Sequence, residues 1–286
     1  MTKRNFLQLD VFASAPGRGN PLAVVLDAAD LDSAVMQTIA AWLNLSETTF
    51  VLLPTQAGAD YRLRIFTPRQ ELPFAGHPSV GTAHAMIERG RVTPRDGRLV
   101  QECGAGLLPI RVDGEGRQRR LHVRAPRGAE RTADPINILP CLRTARLGVL
   151  RPVVIDNGPR WWCIELADED AVRTLSPDLD AMAIGTRATE AVGVAVFARC
   201  AGQPYALVVR AFVPADGIPE DPVTGSANAA ICAWLYANDA LPDRRFLSSQ
   251  GREVGRDGIV ECAVDGNGDV WIGGQTQTVV EGELHW

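Results

Sequence analysis

Strand-like runs of apolar residues, alternating with polar ones or continuous over a few positions, recur at residues 6–12, 22–26, 50–53, 98–103, 107–112, 161–166, 192–199 and 258–264. "YRLRIF", from Tyr61, and "YALVVRAF", from Tyr205, have the same period of two. Helical spacing replaces it at residues 33–43 and 168–175. It returns in "GTAHAMIERG", from Gly81, and "GSANAAICAWLYAN", from Gly225. These last two runs have a Thr or Ser at the start and a Gly or Asn near the end, as helix termini favour. Many short strands with few helices predict an α+β fold.

The pattern is written twice. Phe66-Thr67-Pro68 matches Phe212-Val213-Pro214, and Leu72-Pro73 matches Ile218-Pro219, both 146 residues apart. After a two-residue slip, His77-Pro78 falls on Asp221-Pro222 and Gly81-Thr82-Ala83 on Gly225-Ser226-Ala227, 144 residues apart. Each half reads as a strand, a Pro-rich turn and a helix start. So long a period is not that of a solenoid; it predicts two similar domains related by a pseudo-twofold axis. The expected division is 1–125 and 126–286, with the C-terminal tail free to pack back on the first half. The Pro-, Arg- and Ala-rich segment 124–140 is the expected linker.

Composition removes several function classes. The 286 residues are 46% hydrophobic, and the formal net charge is −5, so there is no basic footprint for nucleic acid and no attraction to an anionic membrane. No apolar run approaches the ~20 residues that span a bilayer. The N-terminus enters an alternating pattern without the apolar core of a signal peptide, so a cytoplasmic protein is expected. The single lysine, Lys3, leaves no internal amine for a pyridoxal-phosphate Schiff base and no Gly-Lys-Ser/Thr for a P-loop. No Gly-x-Gly-x-x-Gly follows a strand and opens a helix, so a dinucleotide cofactor is not expected either. Cys103, Cys141, Cys163, Cys200, Cys232 and Cys262 are scattered singly, which signals neither a metal site nor a redox pair and reads as buried thiols. Neither a cofactor nor a metal is expected; the chemistry is expected to come from side chains.

The two turn-and-helix blocks are the first candidates for that chemistry. A helix N-terminus presents backbone N–H groups and about half a positive charge, a trap for carboxylate or phosphate. The hydroxyls of Thr82 and Ser226 can donate there, and the glycines before them allow a ligand close to the backbone. Ordinary capping of structural helices is the plain alternative. Both blocks also place a proton-handling group before the helix, His77 in one and Asp221 in the other; either residue alone would read as a turn former. In "NLSETTFVLL", Glu47 lies at a helix–strand junction beside hydroxyls and apolar residues. A partly desolvated carboxylate there would exchange protons near neutral pH, whereas a solvated turn glutamate would not. Asn20, in "GNP", is an amide donor or a turn former. Trp161, Trp162 and Trp234 read as core before they read as pocket walls.

"FTPRQELPFAGHPSVGTA" and "GIPEDPVTGSA", with "GNP" before them and "NLSET" ahead of the first, resemble the PhzF-like phenazine-biosynthesis family. "QGREVGRDG" and Gly273-Gly274 carry the likeness to the C-terminus, with Val254-Gly255-Arg256-Asp257 where the family often has Met-Gly-Arg-Pro. The resemblance implies the diaminopimelate-epimerase fold, two pseudo-symmetric domains that each wrap a curved, mostly antiparallel sheet around a central helix. It implies a cofactor-free homodimeric isomerase acting on a small carboxylate-bearing substrate such as trans-2,3-dihydro-3-hydroxyanthranilate. Glu47 would be the acid/base, and His77 and Asp221 would orient the substrate or relay protons. Asn20, Ser46, Gly76, Gly225 and Ser226 would hold the substrate, chiefly by its carboxylate. Two-thiol racemases of the same fold place a cysteine before each glycine-rich turn. Those places are read here as Ala75 and Pro222, which argues against that chemistry. Two further readings are an epimerase that pairs Glu47 with His77 or Asp221, and a metabolite-binding protein on an enzyme fold.

Overall fold

The structure is a computed structural model and describes residues 2–286. The chain folds into two units: one runs to Arg124 and takes in Gly273–Trp286, and the other is Ala125–Ile272. The first holds β1 (Lys3–Val11), β2 (Asn20–Val25), α1 (Ser33–Leu43), β3 (Glu47–Leu52), β4 (Tyr61–Phe66), β5 (Glu71–Leu72), α2 (Gly76–Glu88), β6 (Arg98–Cys103), β7 (Gly106–Asp113) and β8 (Arg120–Arg124). The second holds β9 (Ala129–Arg131), β10 (Val153–Asp156), β11 (Arg160–Glu165), α3 (Glu169–Arg173), α4 (Leu179–Ala188), β12 (Gly193–Arg199), β13 (Leu207–Val213), β14 (Ile218–Asp221), α5 (Gly225–Ala237), β15 (Arg245–Gln250) and β16 (Gly258–Val264). β17 (Val270–Gly274) leads the chain back to the first unit, where β18 (Thr276–His285) pairs antiparallel with β1.

The sheets repeat one plan. In the first unit β1–β2 is antiparallel, β2–β3 parallel, β3–β4 antiparallel, β4–β6 parallel and β6–β7 antiparallel. In the second, β10–β11, β11–β12, β12–β13, β13–β15 and β15–β16 follow the same sequence of directions. Each parallel step is a strand crossover that leaves room for a helix on the face of the sheet. α2 packs against β1, β2 and β8, and α5 against β10, β11 and β16, so each sheet curves around one helix. That explains why α2 is buried all round from Gly76 to Met86 and is rich in Gly, Ala, Ser and Thr. Small side chains let the sheet close tightly on such a helix. At Gly81 a Cβ would stand 2.5 Å from Leu22 and 2.8 Å from Val11, so this glycine serves helix-to-sheet contact and not ligand access. α1 is amphipathic instead. It lays Met36, Ile39 and Ala40 on Val25, Phe50 and Phe66, whose two rings meet edge to face at 5.5 Å.

Side-chain pairs repeat with the strands. Arg64 makes two hydrogen bonds to Glu71, at 2.7 and 2.5 Å, and stacks on Phe66. Arg210 makes the same fork to Glu220, at 3.0 and 2.8 Å, and stacks on Phe212. These pairs fix the internal alignment. It holds at 146 residues through Arg64 and Arg210, then moves to 149 from Glu71-Leu72-Pro73 and Glu220-Asp221-Pro222 onward. The register expected from His77-Pro78 and Asp221-Pro222 is therefore wrong: the turn of the second half is three residues longer, and Glu-x-Pro-x-x-Gly is the true repeat.

No helix among the described residues is long and apolar enough to cross a membrane. All six cysteines are free thiols, and five are buried. Burial pushes the Cys262 thiol up to about 12 and those of Cys163 and Cys232 up as well, so they pack as small apolar groups.

Candidate active site

In the first unit, β2, β3 and the start of α2 gather three separated motifs. β2 and β3 run parallel with Leu22 opposite Glu47, which brings the Asn20-Pro21 segment to the start of β3. Asp10 fixes the turn that leads there, its carboxylate accepting from the backbone N–H groups of Arg18 at 2.8 Å and Gly19 at 3.0 Å. Asn20 is fully buried as the first residue of β2, opposite Val11. Ser46 is half-buried in the turn between α1 and β3. Gly76 and His77 are the first two residues of α2.

His77 Nε2 lies 3.4 Å from Glu47 Oε2, with side-chain exposures of 6% and 16%. The ring donates to the Pro21 carbonyl. The nitrogen facing Glu47 is thereby left as the acceptor of a neutral imidazole. Burial pushes His77 from its ordinary 6.5 down to about 3, and the Pro21 carbonyl offsets only part of this. An ionised Glu47 at 3.4 Å would draw the ring toward protonation. Burial is the largest cause of the shift, because the ring has lost its water and has one neutral carbonyl in exchange.

Helical spacing from Gly81 predicts that α2 begins there, with Thr82 at the tip. The helix begins five residues earlier, at Gly76. Pro78 is tolerated in the first turn, where its missing N–H would have had no intrahelical partner. The His-Pro pair that reads as a turn is thus part of the helix. Thr82 sits mid-helix, fully buried, and its hydroxyl donates to Thr49 Oγ1 at 2.9 Å. That bond removes Thr82 from the groups a ligand at the tip could reach.

In the second unit, Asp221 ends β14, and Gly225 and Ser226 open α5. The Thr224 hydroxyl donates to Asp221 Oδ2 at 2.5 Å and accepts from Gln250 Nε2 at 2.9 Å. Gln250 also donates to the Asp221 carbonyl at 3.1 Å, and its Oε1 accepts from Thr224 N and Asn228 Nδ2, both at 3.0 Å. Ser226 Oγ accepts from the Trp161 indole at 3.1 Å, and its carbonyl accepts from Asn157 Nδ2 at 2.9 Å. His77 and Asp221 are consequently not counterparts. In the corrected register Ser226 stands where His77 does, and Leu72 where Asp221 does. The residue before the helix glycine in the second half is Thr224 and not Pro222; like Ala75, it is no thiol.

The helix ends separate into two kinds. α1, α3 and α4 are capped by Asp32, Asp168 and Asp178, each accepting a backbone N–H of its first turn. α2 and α5 have no side-chain cap. Ala75 cannot supply one, and the Thr224 hydroxyl is committed to Asp221. A cap contributes about 1 kcal/mol, so the two central helices forgo it at the places where ionisable and amide side chains gather. An anion is the partner such an end accommodates. Thr224, Gln250, Asn157 and Trp161 were not singled out from the sequence as site residues. Gln250 lies 149 residues from Gln101, whose amide donates to Ser79 Oγ at 3.0 Å beneath the α2 tip, so the corrected register is the signal that finds it.

The family model for phenazine biosynthesis-like protein, PhzC-PhzF, matches residues 9–282. Antisense-enhancing sequence 1 of Schizosaccharomyces pombe is 36% identical, with 99% of each chain covered. Trans-2,3-dihydro-3-hydroxyanthranilate isomerase of Pseudomonas aeruginosa is 35% identical, covering 98% of this chain and 99% of that one. The crystal structure of a PhzF-family phenazine biosynthesis protein from Bacillus anthracis superposes with a TM-score of 0.84 at 26% identity, over the whole of both chains. The fold is the diaminopimelate-epimerase-like one, shared with solved racemase and epimerase chains at identities that speak for the fold alone. Full-length matches of this kind place the chain in the PhzC-PhzF phenazine biosynthesis-like family of isomerase enzymes.

Proposed function

We propose that the chain is a cofactor-independent isomerase that moves a proton within a small carboxylate-bearing substrate, in the manner of the trans-2,3-dihydro-3-hydroxyanthranilate isomerases among its relatives. The observation that carries this reading is the carboxyl of Glu47 set 3.4 Å from the acceptor nitrogen of a buried, neutral His77 at an uncapped helix end. Glu47 takes a proton from a substrate carbon. The newly protonated carboxyl then has a hydrogen-bond acceptor in His77 Nε2 while the proton waits, and returns it to another carbon of the conjugated system. Asn20, Ser46 and Gly76 are the first unit's candidates for holding the substrate and Gly225 and Ser226 the second's, and an uncapped helix end suits its carboxylate, which eases charge developing beside it. Asp221, held by Thr224, is the second unit's candidate for orienting a polar substituent. General acid/base action of this sort supplies roughly 10²–10⁴-fold, so orientation and exclusion of water supply the remainder. Assembly as a cytoplasmic homodimer belongs to the same proposal and rests on the resemblance.

A shift by one base fits better than epimerisation by two. Thr48 pairs with Phe66 and Val194 with Phe212, so the place of Glu47 in the second unit is held by Gly193, which carries no base. Turnover of trans-2,3-dihydro-3-hydroxyanthranilate in deuterated water separates the cases. A proton shift moves unsaturation and changes the ultraviolet spectrum; solvent label at one carbon with an unchanged spectrum would mean epimerisation and contradict the proposal.

A further inference from the structure

Gly193 does more than lack a base. A Cβ there would stand 2.3 Å from the Phe212 carbonyl oxygen and 2.7 Å from the Trp161 ring, so the missing side chain is what lets the indole lie against this strand. Trp161 is 3% exposed, on β11 opposite Gly193, and its Nε1–H donates to Ser226 Oγ at 3.1 Å. An indole nitrogen only donates. One lone pair of the Ser226 oxygen is therefore taken, and the hydroxyl proton must point to some other acceptor. Ser226 is the second residue of α5, whose N-terminus has no side-chain cap, and its carbonyl is tied by Asn157 Nδ2 at 2.9 Å. The backbone is thus held by one neighbour and the hydroxyl rotor by another.

We propose that Trp161 is a positioning residue: through Ser226 it sets the hydroxyl as a donor to the substrate carboxylate at the α5 tip. Where the first unit places a base, the second places an indole that orders an anion-binding donor. This rests on the reading of that tip as a carboxylate site, and the test separates the two.

Anthranilate, a stable aromatic carboxylate, serves as the probe. Its binding to the whole protein is measured by calorimetry for the wild type, Trp161→Phe, Ser226→Ala and the double variant. A hydrogen bond to a charged group contributes about 1.5–3 kcal/mol, so Ser226→Ala is expected to weaken binding by roughly 10- to 100-fold. Trp161→Phe, which keeps a ring and removes the N–H, is expected to weaken it by about 3- to 10-fold. The double variant is expected to bind no more weakly than Ser226→Ala alone, since Trp161 acts through that hydroxyl. In turnover of trans-2,3-dihydro-3-hydroxyanthranilate, Trp161→Phe should raise KM and keep kcat. Benzothienylalanine at position 161 keeps the fused ring without the N–H and gives the same readout should the Phe variant unfold. Multiplying losses in the double variant, or wild-type binding by Trp161→Phe, would overturn the role of Trp161 and leave the carboxylate site standing. Wild-type binding by Ser226→Ala would overturn the carboxylate site itself.

Discussion

Replacing His77 by asparagine tests whether the imidazole beside Glu47 is kept neutral by the fold. Unfolded, His77 takes a proton with its ordinary midpoint near 6.5. Folded, burial holds it down to about 3. Its folded-state affinity for the proton is the lower one, so the stability linked to it is complete above about pH 6.5 and is lost as pH falls toward about 3. At about pH 5.0 the unfolded chain gains about 2 kcal/mol from protonating this ring, and the folded chain gains nothing. The amide in the His77→Asn variant takes no proton in either state. Urea unfolding at about pH 7.5 and about pH 5.0 should therefore show the wild type losing about 2 kcal/mol more than His77→Asn over the interval. An NMR titration should show that the imidazole resonance lost in His77→Asn stays neutral in the wild type across the same range. Equal pH dependence for the two proteins, or an imidazole set with every midpoint near the ordinary value, would refute both the burial argument and the use of Nε2 as an acceptor for Glu47.

The repeated ion pairs and the uncapped ends give further tests. Arg210 and Glu220 are each 8% exposed, and Arg210 also donates to the carbonyls of Val172 and Leu175, so Arg210→Ala should cost about 3–5 kcal/mol in urea unfolding. Arg64 and Glu71 form the same fork at 19% and 42% exposure, and Arg64→Ala should cost less than about 1 kcal/mol. Comparable losses would show that the pairing, and not its burial, sets the energy. Ala75 already has the extended backbone of a cap, φ −149° and ψ 140°. Ala75→Asp should hold or raise the unfolding midpoint, by up to about 3 °C. A lowered midpoint would count against an α2 end that a side chain can cap.

What could be read from the sequence follows from where local chemistry decides the structure. α1 runs over the expected residues 33–43 because an Asp cap, an apolar stripe and a left-handed Asn44 all mark it locally. Most strands fall near their alternating runs for the same reason. The start of α2 was not legible, because Pro78 marks a turn unless it stands in a helix's first turn, and nothing within a few residues says which. The register of the repeat misled in the same place. Matching His-Pro to Asp-Pro favours two ionisable groups, whereas the Arg64–Glu71 and Arg210–Glu220 forks, visible only across strands, set the alignment at Glu-x-Pro-x-x-Gly. Glu47, His77 and Asn20 were legible as candidates. Their convergence depends on the parallel β2–β3 pairing, which no spacing along the chain discloses. Thr82 was misplaced with the helix start, and Gln250 and Thr224 went unmarked because their roles are to hold Asp221 and one another.

Glu47→Gln bears most directly on the central claim. The amide keeps the size and buried polar contacts of the carboxyl but cannot take a proton from carbon, so calorimetry should find anthranilate binding within about threefold of wild type. Turnover of the substrate, trans-2,3-dihydro-3-hydroxyanthranilate in the proposed reading, should at the same time fall by about 10²–10⁴-fold. A Glu47→Gln protein that binds the probe and turns the substrate over at the wild-type rate would contradict the account.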